Sequence, residues 1–173
     1  MTISRSWVSV RFVLLLIMIL VGFFSARAGI AQVNGKVRAV VDGNTLLVVL
    51  EDGDEFTLIL DGIDSPELEQ DYGLQAKDFL EKKAVGKQVK IELRGKDRWG
   101  NRLAVVWLKG EVDLRAELLK AGYAWTAERN PDETLENLRL EAQQKGKGLW
   151  QSASATAPWI YRRQQSMMQA KGS

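Results

Sequence analysis

The chain has 173 residues with 24 basic and 22 acidic side chains, and it contains no histidine and no cysteine. Without imidazole or thiolate there is no serine–histidine triad, no His- or Cys-ligated zinc, no disulfide framework and no nuclease chemistry that needs an imidazole base. Any catalysis must run on carboxylates, Lys, Arg, Tyr or a hard metal held by oxygen.

Residues 1–28 read as a signal peptide. Arg5 and Arg11 precede an uncharged apolar run from Phe12 to Phe24, and Ala26-Arg-Ala28 fits a small-x-small cleavage site. Fifteen residues separate Arg11 from Arg27, roughly 22 Å of helix against a hydrocarbon core of about 30 Å, which is short for a retained anchor. The expectation is export, to a periplasm or the medium, with no stable membrane span after cleavage. Cleavage removes three arginines and no acid, leaving 21 basic against 22 acidic side chains. By net charge the mature protein is not a generic polyanion binder.

Lys36–Val41 alternates and is rich in valine, Thr45–Leu50 follows after the turn Asp42-Gly-Asn, and Glu55–Leu60 follows after Glu51-Asp-Gly-Asp. These three runs predict a meander of three strands. Asp61–Tyr72 is expected as a loop, with Pro66 ending regular pairing. Leu74, Phe79, Leu80 and Ala84 have helical spacing, closed by Gly86. Gln88–Arg94 and Arg102–Leu108 predict two more strands around the turn Lys96–Asn101. Asp113 is placed to cap a helix over 114–121 that Gly122 ends. Asn130-Pro-Asp opens a last helix to about Lys145, and residues 151–173 read as a linker and a basic C-terminal tail. Trp107, Trp125, Trp150 and Trp159 read as packing residues, whereas Trp99 lies in a turn. Five strands with a helix between the third and fourth suit an α+β, mainly β, five-stranded Greek-key barrel of the OB type with about three helices, spanning 33–150.

Charge is sorted along the chain. Residues 51–71 carry nine acids and no base, whereas 82–102 carry eight bases and two acids. An acidic lip beside a basic strip is one reading, and solvated surface is the other. Asp64 lies between strand and loop, with Ser65, Pro66 and Glu67 after it, and Asn44 lies in the first hairpin. Oxygens converging from two such loops suit Ca²⁺, and a carboxylate two or three residues from a metal ligand is well placed to orient or deprotonate a metal-associated water. Asp42 and Asp61, each followed by glycine, read as turn residues.

Five pieces, Val41-Asp-Gly-Asn-Thr45, Gly62-Ile-Asp-Ser-Pro-Glu67, Asp97-Arg-Trp-Gly100 with Leu103-Ala104, Leu119–Ala124, and Glu141-Ala with Gly148-Leu-Trp150, make the chain resemble the staphylococcal (thermo)nuclease family. The resemblance implies an OB-fold and, in active members, Ca²⁺-dependent cleavage of DNA and RNA. It puts Asp64 and the Ser65 carbonyl on calcium and makes Glu67 the general-base candidate. It also implies departures. Asn44 stands at a calcium aspartate, Ile59 and Asn101 stand at the two catalytic arginines, and Trp99 stands at a nucleotide-stacking tyrosine. Ile59 reads as a core or barrel residue. Arg102, Arg98 and Arg38 are the substitute guanidiniums within reach in sequence, although one step along a strand turns Arg102 to the other face. Trp99 and Arg98 are the nucleic-acid contacts expected.

An arginine on a transferring phosphoryl group is worth about 10³–10⁵ in rate, so losing two points to a weak or inactive domain that binds single-stranded nucleic acid or another ligand. The alternatives are an active Ca²⁺-dependent endonuclease using substitute arginines, and an envelope module with a protein partner of unknown identity.

Overall fold

A computed structural model describes residues 32–172; the signal-peptide reading of 1–28 lies outside them. The chain order is β1 (Gln32–Asp42), β2 (Thr45–Leu50), β3 (Glu55–Leu60), β4 (Ile63–Asp64), α1 (Gly73–Ala84), β5 (Gln88–Lys96), β6 (Arg102–Leu108), β7 (Val112–Asp113), α2 (Leu114–Ala121), β8 (Trp125–Thr126), α3 (Glu133–Gln144), a 3₁₀ turn (Gly148–Gln151) and α4 (Pro158–Gly172). No described helix is long and apolar enough to cross a membrane.

The strand order is β3-β2-β1-β5-β6-β7, and β3 also pairs with β6. That last pairing is parallel, Leu58 to Arg102, Ile59 to Leu103 and Leu60 to Ala104, and it closes the five long strands into a barrel. Closure leaves no long open edge among those five strands. The core is built from the inward half of each strand, with Val37, Leu46, Val48, Leu58, Leu60, Ile91, Ala104 and Val106 joined by Leu80 of α1 and Leu114, Leu118 and Leu119 of α2. Removing apolar surface of this kind from water is the main stabilising term.

Helix ends follow their caps. The Asp113 carboxylate accepts from the Arg115 N–H, and Gly122 closes α2 in the left-handed conformation. Asp132 caps α3 by accepting from the Leu135 N–H. The expected helix over 74–84 is present, but Leu74 is exposed, so the inward stripe is Gly73, Ala76, Leu80 and Ala84.

The stretch expected as linker and tail differs most. It holds the fifteen-residue α4, raising the α-helices among the described residues to four. Pro158 is suited to the first helical position. Ala157 and Pro158 are buried, and Trp159 meets the Trp125 ring edge-on at 5.8 Å, itself 4.4 Å from Trp150. Aromatic contacts across the fold, rather than local periodicity, dock this helix.

Candidate functional site

The loop that leaves β3 carries the acids. Asp61 N–H donates to the Ala104 carbonyl, and β4 pairs with β8 (Ile63 to Thr126, Asp64 to Trp125). Asp64 is thereby fixed between the barrel mouth and the segment before α3. The Ser65 hydroxyl donates to the Gly43 carbonyl at 3.0 Å. A Cβ on Gly43 would lie 2.5 Å from the Ser65 Cβ, and one on Gly73 would lie 1.8 Å from the Glu67 carbonyl oxygen. These two glycines allow the first hairpin and the start of α1 to close on the Asp64–Glu67 loop from both sides.

A cavity of about 410 Å³ lies over this loop, and its walls include Asp42, Asn44, Ile59, Asp64, Glu67, Asp97, Trp99, Asn101, Glu128 and Arg162. The structure thus brings together the residues singled out from three separate stretches of sequence. Five of them are carboxylates and one is a guanidinium.

Of the two readings of Ile59, core or barrel residue, the structure shows the second: it lies on the barrel strand β3 but outside the buried core. Leu58 and Leu60 point inward and are fully buried, so Ile59 between them is half-buried and faces the cavity. As an alkyl side chain it offers the cavity no hydrogen-bond donor. Asn101 is spent on its own turn. Its amide donates to Asp97 Oδ2 at 2.8 Å, while the backbone N–H groups of Asn101 and Trp99 both donate to Asp97 Oδ1 at 2.9 Å. Slight desolvation would raise the Asp97 carboxyl, but the bonds from Asn101, Trp99 and Gly100 outweigh it and hold the group below the usual carboxylate range.

The substitute arginines named from sequence lie elsewhere. Arg102 stacks on Phe56 with its guanidinium carbon 4.2 Å from the ring centroid, and Arg38 pairs with Glu55. Arg98 lies 3.9 Å over Trp99, which is 72% exposed at the cavity rim. The first two are absent from the cavity wall, and Arg98 braces a ring beside it.

The guanidinium that enters the cavity is Arg162 of α4. Its two terminal nitrogens donate to Asp64 at 2.7 and 3.2 Å, and one of them donates to Glu67 at 2.7 Å. This fork on a carboxylate is the geometry in which arginine binds most strongly. Hydrogen bonds and charge from the two acids push the Arg162 guanidinium further toward its protonated form. Burial pushes the Asp64 carboxyl up; Arg162 opposes that, and Glu67 and Asp42 add to it. Both shifts are upward because Asp64 lies deep, with 21% of its side chain exposed, while Arg162 enters from the mouth at 49%. One position along, Arg163 lies 3.7 Å from Glu128. The basic composition of the C-terminal tail carries no local signal that directs Arg162 across 98 residues to Asp64.

The family model described as staphylococcal nuclease homologue matches residues 57–152. The chain belongs to the staphylococcal nuclease family. It is 35% identical over 133 residues to an uncharacterized endonuclease of Escherichia coli O157:H7, covering 76% of this chain and 86% of that protein. It is 33% identical over 138 residues to a thermonuclease of Staphylococcus hyicus, covering 71% and 80%. Protein ParB of Escherichia coli is 28% identical over 153 residues, covering 82% and 86%.

Members of this family generally depend on calcium, and the site of this chain does not fit that ion as folded. Asp64 and Glu67 are both engaged by Arg162. Asn44 supplies an amide where a carboxylate is expected, and no group of three acids suited to a metal occurs among the described residues. A divalent ion on the same oxygens would meet a positive charge within a few ångströms, a repulsion of several kcal/mol at the effective dielectric of a protein surface.

Proposed function

We propose that this staphylococcal-nuclease-family domain binds nucleic acid, preferably single-stranded, and cleaves it weakly or not at all. The observation that carries the reading is the commitment of Arg162, the one guanidinium lining the cavity among the described residues, to Asp64 and Glu67, while Ile59 and Asn101 donate nothing toward a phosphate. Phosphodiester cleavage requires donors aimed at the charge that develops on the phosphoryl oxygens, and here the donors face carboxylates. Binding rests on the rim. Trp99 offers an exposed ring for base stacking, braced by Arg98. The N-terminal sequence supports placing this function outside the cytoplasm.

The test is cleavage of denatured DNA by the purified protein with calcium and with chelator in parallel, together with anisotropy of a labelled single-stranded oligonucleotide. Binding that weakens with salt, without cleavage above the chelator control, is expected. Robust calcium-dependent cleavage that vanishes in Glu67→Ala overturns the reading.

A second reading has one observation in its favour. A guanidinium does reach the Asp64–Glu67 pocket, and if Arg162 turned from the carboxylates to a phosphate, the chain would be an active endonuclease with its clamp carried on α4. The same assay separates the two, because that activity would be lost in Arg162→Ala.

A further inference from the structure

We propose that Arg162 is the resident cation of the site and that α4 is a latch which a divalent ion must lift to reach Asp64 and Glu67. The inference rests on the family reading of this loop and goes beyond it, since it concerns what holds the acids together in this particular chain.

Three observations converge. First, the guanidinium bridges the two carboxylates, with one oxygen of Glu67 and both oxygens of Asp64 within 3.2 Å, so it does the charge balancing that a metal would otherwise do. A phosphate clamp would instead turn its terminal nitrogens toward the open part of the cavity. Second, Asn44 has one negative charge fewer than an aspartate would bring, which lowers the affinity of the oxygen set for a doubly charged ion while leaving a pair of acids that a fork can satisfy. Third, the presentation of Arg162 is built into the helix. Trp159, Arg162 and Arg163 occupy positions i, i+3 and i+4 and share one face. That face makes three contacts in register, Trp159 on Trp125, Arg162 on Asp64 and Glu67, and Arg163 on Glu128. The preceding turn is tied down by the Gln70 amide, which donates to the Thr156 carbonyl at 2.6 Å, and by buried Ala157 and Pro158.

The same helix is only lightly held. Pro158 is the one buried residue of α4, and the ties past its first turn include the ion pairs of Arg162 and Arg163. Segments with few buried apolar contacts occupy the low-stability end of local opening. The helix therefore has an attached end that acts as hinge and a charged contact that acts as catch.

The experiment is a calorimetric titration of Ca²⁺ alone, without nucleic acid, into the wild type, Arg162→Ala, Arg162→Gln and Lys171→Ala. Lys171 lies on the same helix away from the site, and its variant controls for the general loss of one positive charge. Arg162→Gln keeps a good helix former should the alanine variant fold poorly, and circular dichroism verifies the fold of each. An ion that must displace Arg162 binds in proportion to the fraction of molecules with the latch open, so both Arg162 variants are expected to bind Ca²⁺ about ten-fold or more tightly than the wild type and Lys171→Ala. Equal affinity in all four proteins, or binding in none, overturns the proposal. Because no nucleic acid is present, this outcome is separate from the oligonucleotide assay: intact oligonucleotide binding beside unchanged calcium affinity would remove the latch and leave the proposed function standing.

Discussion

Arg162 and Asp64 stand 98 positions apart, yet the guanidinium of one grips both carboxylate oxygens of the other. This pair joins the last helix to the first loop after the barrel meander, at the wall of the cavity.

Reversing the departures should restore chemistry only when the pair is also broken. Arg162→Ala combined with Ile59→Arg and Asn101→Arg frees the acids and returns two guanidiniums to the cavity wall. Cleavage of denatured DNA in calcium should then rise about 10² or more over the wild type, the scale of one or more phosphoryl-facing donors. Ile59→Arg and Asn101→Arg without the change at Arg162 should give little gain in the same assay.

Trp99 is exposed and braced by Arg98, so its removal should leave stability unchanged and weaken binding. In Trp99→Ala the affinity for a single-stranded oligonucleotide should fall by about 1–3 kcal/mol, the scale of one stacked base. Anisotropy at fixed salt measures the loss, and urea unfolding checks that the fold is retained. An undiminished affinity would move the binding surface away from the β5–β6 turn.

Trp159→Ala leaves Arg162 in the chain but removes the aromatic contact that carries it. Limited trypsin digestion should cut at Arg162 and Arg163 faster than in the wild type. Mass spectrometry of the early products would show it, while the barrel core should resist digestion as before.

Much of this arrangement was readable from residues. The valine-rich alternation of 36–60 and the Asp-Gly turns gave the meander, and Asp113 and Gly122 bracketed α2 as caps. The order of the motifs around Asn44, Asp64, Trp99 and Asn101 anticipated residues that meet at one cavity. Two things were not readable, for different reasons. The inward or outward direction of Ile59 depends on the pleat of β3: its apolar type admits core or barrel wall, and the strand register turns it to the cavity. The sequence of α4 gives little local sign of what it packs against, because its contacts lie on Trp125, Asp64, Glu67 and Glu128, far away along the chain. Leu74 is the opposite case, an apolar residue at helical spacing that the fold leaves exposed.

The Glu136 carboxylate accepts from Arg139 and from the Thr126 hydroxyl, tying α3 to β8 beside the site. The Arg139 bond is the main cause that holds this carboxyl below its ordinary value; burial opposes it, and Thr126 and the Arg139 charge assist. A lowered folded value means that the stabilisation is present above the unfolded carboxylate value of about 4.3 and is lost as pH falls through the folded value. Glu136→Gln should therefore cost about 1 kcal/mol at pH ~7. The gap between wild type and variant should close in urea titrations carried out in acid below the folded value. A gap of constant size across pH would assign the loss to packing instead.

The parallel register of Leu58–Leu60 on Arg102–Ala104 has a kinetic consequence. Hairpins within β1–β3 and β5–β6 are local and close quickly, but this seam joins segments more than forty residues apart and requires a long loop to be ordered first. The cavity wall at Ile59 and the start of the Asp61–Glu67 loop sit on the seam itself. A chain caught with its hairpins formed and its seam open would have most of its sheet and no site, so recovery of ligand binding during refolding should lag the return of β-structure.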